Sequence, residues 1–218
     1  LDRRQPVSLK QIPLHVINAA LAAEDWTFFT HSGISLKSIV RSALVNMRQQ
    51  KIVQGASTIS QQLVKLLFLD SKRTFKRKIK EHFYTILVER QFTKEQILET
   101  YLNHVYFGYG IYGVEAVAQR LWNCSICDVT VDQAALLAAI IRSPGSFNFP
   151  LSLLERRNTV LKQMLKLHFI DQVTYEKAKQ QPLNLVASEE ESVIAPHLRE
   201  SIRIKLEPLV GKEQLYSG

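Results

Sequence analysis

The chain is short of glycine, with 8 in 218 residues, roughly half the ~7% usage of an average protein. That scarcity makes a glycine-rich phosphate loop or a turn-dense all-β fold a poor fit. Cysteine is rarer still, and the 2 present form a single pair, Cys124-Ser125-Ile126-Cys127. One pair cannot complete a four-ligand zinc site, and no strand pattern precedes it as in a thioredoxin-like motif; a local disulfide or two free thiols remain. No apolar run approaches the ~18 residues of a membrane span. The longest obvious one, Ala134 to Ile141, suits a buried helix. No signal-peptide pattern follows Leu1, so the segment reads as an excised domain. Sustained period-two alternation, internal repeats and low-complexity tracts are missing too.

Hydrophobic residues at 46% and charged residues at 22% are those of a folded domain with one sizeable core. The 28 Lys and Arg outnumber the 20 Asp and Glu and leave a formal charge of +8. Such a balance points to an anionic partner: nucleic acid, a membrane surface or a phosphorylated substrate.

Helical periodicity dominates the pattern. Pro13 suits a first turn, followed by Leu14, Ile17 and Leu21 on one face until Glu24-Asp25. Ser35 is placed to cap a second helix striped by Leu36, Ile39, Val40, Ala43, Leu44 and Met47. Ser57 or Thr58 opens a third, and a fourth carries Phe75, Ile79, Phe83, Ile86 and Leu87 on its apolar stripe. Thr93 with Gln96, and Thr130 with Gln133, have capping-box spacing before two further helices. Two more are expected around Leu153–Leu167 and Thr174–Lys179. The expectation is an all-α domain over 1–185 and, past Pro182 and the acidic Ser188–Ser192 stretch, a linker over 186–218.

Four constellations bear on chemistry, each of which taken alone reads first as an ordinary structural feature. Glu24-Asp25 ends an apolar helix and runs into Trp26, Phe28, His31 and Gly33. A carboxylate against apolar walls has its charged form disfavoured and becomes a better base near neutrality; a solvated helix end is the plainer alternative. Gly55 to Lys65 brings Ser57, Thr58, Gln61 and Gln62 to a helix start, suited to an anion and to sugar hydroxyls, or to nothing beyond a cap. Arg77, Lys78 and Glu81 share a helical face opposite the Phe75/Ile79/Phe83 stripe, as a pyrophosphate site or a solvated ion-paired face would. Glu99, Asn103 and Tyr106 follow at i, i+4 and i+7, a seam that serves a ligand or simply locks helices together.

The serial order of these motifs carries more than any one of them. Glu-Asp-x-x-Phe-x-x-His-x-Gly (Glu24–Gly33), Gly-Ala-Ser-Thr-Ile-Ser-Gln-Gln-Leu-x-Lys (Gly55–Lys65), Arg-Lys-x-x-Glu (Arg77–Glu81), Ile-Leu-Glu-x-Tyr-Leu-Asn-x-x-Tyr-Phe-Gly (Ile97–Gly108) and Ala-Ala-Leu-Leu-Ala (Ala134–Ala138) occur in register. The chain thereby resembles the family 51 peptidoglycan glycosyltransferases of bacteria, most nearly the domain found in bifunctional class A penicillin-binding proteins. The resemblance implies a lysozyme-like, two-lobed helical fold, followed by an arm toward a transpeptidase domain. It implies polymerisation of lipid II with inversion and release of undecaprenyl pyrophosphate. Glu24 and Glu81 would be the catalytic carboxylates, Glu24 as general base on the acceptor GlcNAc 4-OH. Asp25, Phe28, His31, Ser57, Thr58, Gln61, Gln62, Lys65, Arg77, Lys78, Glu99, Asn103 and Tyr106 would bind substrate, with the cations on the pyrophosphate. No cofactor is implied as essential, while a divalent cation, Mg2+ or Mn2+, is allowed at Glu81. The implied partners are lipid II, the growing glycan strand, the bacterial membrane surface and cell-wall synthesis proteins, with no nucleic acid. The implied location is the outer face of the cytoplasmic membrane, anchored by a helix this segment lacks.

Two rivals remain at this level. A lysozyme-type hydrolase or lytic transglycosylase shares a catalytic Glu but needs no cation cluster for a pyrophosphate. A helical module binding nucleic acid or anionic lipid through Lys72–Lys80 leaves Glu24, Glu81 and the Gln pair unexplained.

Overall fold

In a computed structural model the described residues are 6–35, 57–69, 74–144 and 150–186. The chain forms one compact unit over Leu1–Asn184 and a second over Leu185–Gly218, of which only Leu185 and Val186 are described. The expected helix after Ser35 and almost all of the expected linker therefore lie outside the described residues.

The described elements are helical apart from one short hairpin. They run α1 (Leu14–Glu24), a 3-10 turn (Phe28–Thr30), α2 (Ile59–Phe68), α3 (Phe75–Gln91), α4 (Lys94–His104), β1 (Tyr106–Gly108), β2 (Ile111–Tyr112), α5 (Val114–Trp122), a 3-10 turn (Ile126–Asp128), α6 (Val131–Arg142), α7 (Pro150–Lys166) and α8 (Gln172–Gln180). Capping chemistry sets several of the starts. Thr58 and Thr93 each receive the N3 backbone N–H while Gln61 and Gln96 return to the cap nitrogen, and Gln133 accepts from Thr130 N at 2.8 Å. The capping boxes expected at Thr93 and Thr130 are thus in place, and Thr58 forms a third.

Two packing groups result. α1 packs on α6 and α7, and α7 on α8; α2 packs on α3 and α4. The first group is alanine-rich where it meets. Ala19, Ala20 and Ala22 of α1 and Ala134, Ala135, Ala138 and Ala139 of α6 are buried, and small side chains let two helix backbones approach closely.

Three features differ from the sequence expectation. α5 carries no cap signal, because its N-cap is Gly113 and no side chain caps it. The Tyr106–Gly108/Ile111–Tyr112 hairpin is too short to show alternation. α3 is turned inside out: Phe75, Ile79 and Phe83 are 82%, 57% and 59% exposed, while Glu81 and Thr85 are buried. Thr85 and Glu89 on its inward side find partners, as buried polar groups generally do. Thr85 Oγ1 donates to Glu81 O at 2.6 Å, and Glu89 accepts from Lys94 Nζ at 2.7 Å and from the Ser60 hydroxyl.

The loop after α1 reaches α3 through Gly33. Its φ is +88°, and a Cβ there would stand 2.8 Å from Thr85 Cγ2 and 2.9 Å from Glu89 Cγ. Gly110, at φ +75°, has nothing within 4 Å of the same atom. Gly33→Ala is therefore expected to lower stability by about 1–3 kcal/mol, read as a reduced urea midpoint at unchanged m-value, and Gly110→Ala by clearly less.

Candidate active site

The two packing groups meet where α1 ends. The last residue of α1 is Glu24 and its C-cap is Asp25; the two carboxylates have different surroundings. Asp25 is buried and fully engaged. Its Oδ2 accepts from Ile59 N at 3.2 Å and lies 2.9 Å from His31 Nε2, while Oδ1 accepts from Thr27 Oγ1 at 3.3 Å. Ile59 N is the first N–H of α2, which has no partner inside its own helix, so a carboxylate there satisfies it and meets the positive end of the helix dipole. His31 Nδ1 accepts from Gly33 N at 3.1 Å. In the neutral ring the proton then sits on Nε2 and is donated to Asp25.

Glu24 is half satisfied. Its Oε2 accepts from Gln62 Nε2 at 2.6 Å, and Arg142 Nε lies 3.9 Å from Oε1. Among the described residues Oε1 has no hydrogen-bond partner although it is buried. Burial raises the carboxyl pKa above the ordinary value and outweighs the Gln62 hydrogen bond and the Arg142 charge, which lower it, while the Asp25 charge adds to the rise. A carboxylate that is desolvated, oriented and left with an oxygen free of hydrogen bonds among the described residues suits the removal of a proton from a bound hydroxyl.

A second cluster lies on the inward face of α3. Glu81 is contacted by Lys78 Nζ and, at 3.5 Å, by Arg77 Nη1. Arg77 Nε and Nη1 are buried without hydrogen bonds among the described residues, donors left over for an anion. Both Glu81 oxygens face cations of its own helix, so the donor set there does not fit a divalent cation. Among the described residues no group of three or more His, Cys, Asp or Glu is placed to hold a metal.

Several expected binding residues sit elsewhere or are already occupied. Thr58 and Gln61 are spent on the capping box, Gln61 Oε1 accepting from Thr58 N at 3.0 Å, and Thr58 Oγ1 donates to Gly33 O at 2.6 Å. The Phe28 ring is fully buried, edge-on to Phe29 at 5.2 Å with Lys94 Nζ 4.4 Å above its centroid. Ser57 and Lys65 are exposed at the two ends of α2. Glu99 and Asn103 hold the segment before α1: Asn103 exchanges two 2.8 Å bonds with the backbone of Val7, and Glu99 Oε2 accepts from Leu9 N at 2.6 Å. These two residues point away from Tyr101, which lies two positions along the helix from each and so on the opposite side. Tyr106 packs against Tyr112 in the hairpin, the rings tilted by 41° with centroids 4.9 Å apart. Cys124 and Cys127 are free thiols.

Sequence reasoning missed Arg142 and Tyr101. Arg142 is the last residue of α6, where a basic residue reads as an ordinary partner of the helix dipole. Tyr101 falls on an apolar stripe, and only its hydroxyl hints at more.

A family model and curated relatives point to one family. A family model described as Transglycosylase matches residues 1–165. Penicillin-binding protein 1A of Aquifex aeolicus (strain VF5) is 48% identical over 188 residues, 85% of this chain and 26% of that protein. Penicillin-binding protein 1A of Pseudomonas aeruginosa is 37% identical over 220 residues, 99% of this chain and 27% of that one. The chain spans about a quarter of the length of these relatives. The crystal structure of penicillin-binding protein 1A from Haemophilus influenzae aligns with 97% of this chain and 22% of its own, at TM-score 0.49 and 23% identity.

The raised pKa of Glu24 has a consequence for stability. The folded state binds this proton more tightly than the unfolded chain does. The carboxyl therefore contributes most below the ordinary glutamate range, and the contribution is lost as pH rises through the raised value. Glu24→Gln, neutral throughout, escapes that loss. It is expected to melt above the wild type at pH 8, by about 1 kcal/mol, with the gap closing toward pH 4 in thermal melts.

Proposed function

The chain belongs to the transglycosylase family, and from that premise we propose that it is the peptidoglycan glycosyltransferase domain that polymerises lipid II. The observation that carries the reading is the desolvated Glu24 carboxylate, one oxygen of which has no hydrogen bond among the described residues. Glu24 takes the proton of the acceptor GlcNAc 4-OH as its oxygen attacks the anomeric carbon of the donor MurNAc. The bond from that carbon to the phosphate oxygen breaks on the opposite face, its electron pair leaving with undecaprenyl pyrophosphate, and the configuration inverts. A pyrophosphate needs charge stabilisation more than protonation. Arg77 and Lys78 supply it, with Glu81 holding their side chains in place, and Lys65 adds charge at the end of α2.

The outward apolar face of α3 supports a lipid-borne substrate. Phe75, Ile79 and Phe83 are exposed on the helix that carries Arg77 and Lys78, which suits a surface of acyl chains beneath phosphate. The domain then works at the outer face of the cytoplasmic membrane, among cell-wall synthesis proteins. Among the described residues no helix is long and apolar enough to cross a membrane. A hydrolase has no use for buried guanidinium donors such as the Nε and Nη1 of Arg77, which make no hydrogen bond among the described residues.

Labelled lipid II separates the readings. The wild type is expected to give glycan strands, and Glu24→Gln to lose about 10²–10⁴-fold in rate. Arg77→Met is expected to slow the same reaction about 10²–10³-fold. Full activity in Glu24→Gln, or shortening of preformed glycan in place of growth, contradicts the proposal.

A further inference from the structure

The partner that holds Glu24 is itself held. Gln62 Nε2 donates to Glu24 Oε2 at 2.6 Å, and Tyr101 OH donates to Gln62 Oε1 at 3.1 Å. Tyr101 is 1% exposed, and its hydroxyl has no other partner among the described residues. Burial, with the Glu24 and Asp25 charges adding to it, raises the phenol pKa well above 10.0. The hydroxyl therefore keeps its proton and must donate it.

An amide offers two faces, and the choice between them matters here. With Nε2 toward Glu24 the amide stabilises the carboxylate. Reversed, it sets Oε1 against the carboxylate oxygen, an arrangement that suits only protonated Glu24. The reversed amide also aims its NH2 at Tyr101, whose own proton then has nowhere to go, and a buried donor without an acceptor is costly. We propose that Tyr101 is a positioning residue for the catalytic base: its buried hydroxyl fixes the Gln62 amide in the orientation that donates to Glu24. The chain Tyr101–Gln62–Glu24 runs from α4 through α2 to α1, so the base is aimed by the second packing group. This rests on reading Glu24 as the base, and it moves Gln62 from sugar recognition to orientation of that base.

Among the described residues, the charged and titratable groups facing Glu24 are Asp25 beside it, Arg142 from α6 and the Tyr101 phenol from α4. Tyr101→Phe leaves the first two in place and removes only the hydroxyl. Freed from its donor, the amide turns over and the carboxylate loses part of its stabilisation. The acidic limb of the kcat–pH profile for lipid II polymerisation then moves to higher pH by about 0.5–1, so the rate on that limb falls about three- to tenfold and recovers in alkaline buffer.

Gln62→Leu is expected to move the limb in the same direction, and Tyr101→Phe to add nothing in that background. Tyr101→meta-fluorotyrosine, a stronger donor on an intact ring, is expected to move it the other way; it covers the case in which Tyr101→Phe does not fold. A uniform loss at every pH, a change in KM alone, or additive shifts in the double variant overturns the relay. If Glu24→Gln is inactive and the Tyr101 variants leave the profile unmoved, the relay fails while the base stands. Activity retained in Glu24→Gln removes both.

Discussion

Asp25 is the clasp on which the site depends. Its backbone N–H closes the end of α1, while its side chain receives the first N–H of α2 and pairs with His31 Nε2. Those bonds bring two separately packed groups of helices together at one point. Without them the Gln62 amide, one turn into α2, has no fixed relation to Glu24 at the end of α1. The cost is a second carboxylate directly beside the first, and Asp25 is accordingly among the groups that raise the Glu24 pKa. A helix N-terminus is well suited to hold such a charge, since its free N–H groups need an acceptor.

The same economy runs along α3. An inward polar face is expensive unless every group on it is paired, and here the pairs are Glu81 with Lys78 and Arg77, and Glu89 with Ser60 and Lys94. The Glu89–Lys94 pair also sets a cation over the Phe28 ring and, through Gly33, a close backbone approach. The loop after α1 is thus fastened at both ends, by Asp25 and by α3. Among the described residues, the buried side-chain atoms left without a hydrogen bond are narrow in kind: one oxygen of Glu24, and the Nε and Nη1 of Arg77. A base and an anion-binding donor are the two groups that glycosyl transfer from a pyrophosphate calls for.

Much of this was legible in the sequence wherever a local rule decides it. The capping boxes at Thr93/Gln96 and Thr130/Gln133, a helix opening at Thr58 and the helix ending at Glu24 stand as expected, because caps and periodicity act within one turn. The desolvated carboxylate was also foreseeable from apolar residues running up to Glu24. Tertiary override explains the rest. The Phe75/Ile79/Phe83 stripe looked like a core face, and only the partners of Glu81 and Glu89 reveal which side of α3 is inward. Glu99 and Asn103 have the spacing of a ligand seam, yet they bind the backbone of Val7 and Leu9, contacts about ninety residues away that no local pattern contains. Tyr101 was hidden by its own ring, which belongs in a core whatever its hydroxyl does.

The central claim is that Glu24 is a buried carboxyl whose proton affinity is raised by desolvation and held in check by Gln62. Carbon-13 labelling of glutamate side chains, with the Glu24 resonance assigned by its loss in Glu24→Gln, gives that affinity by NMR titration. The account predicts a midpoint above the ordinary glutamate value of about 4.3, rising further when Gln62 is replaced by Leu. A midpoint at or below the ordinary value, unmoved by Gln62→Leu, would contradict it.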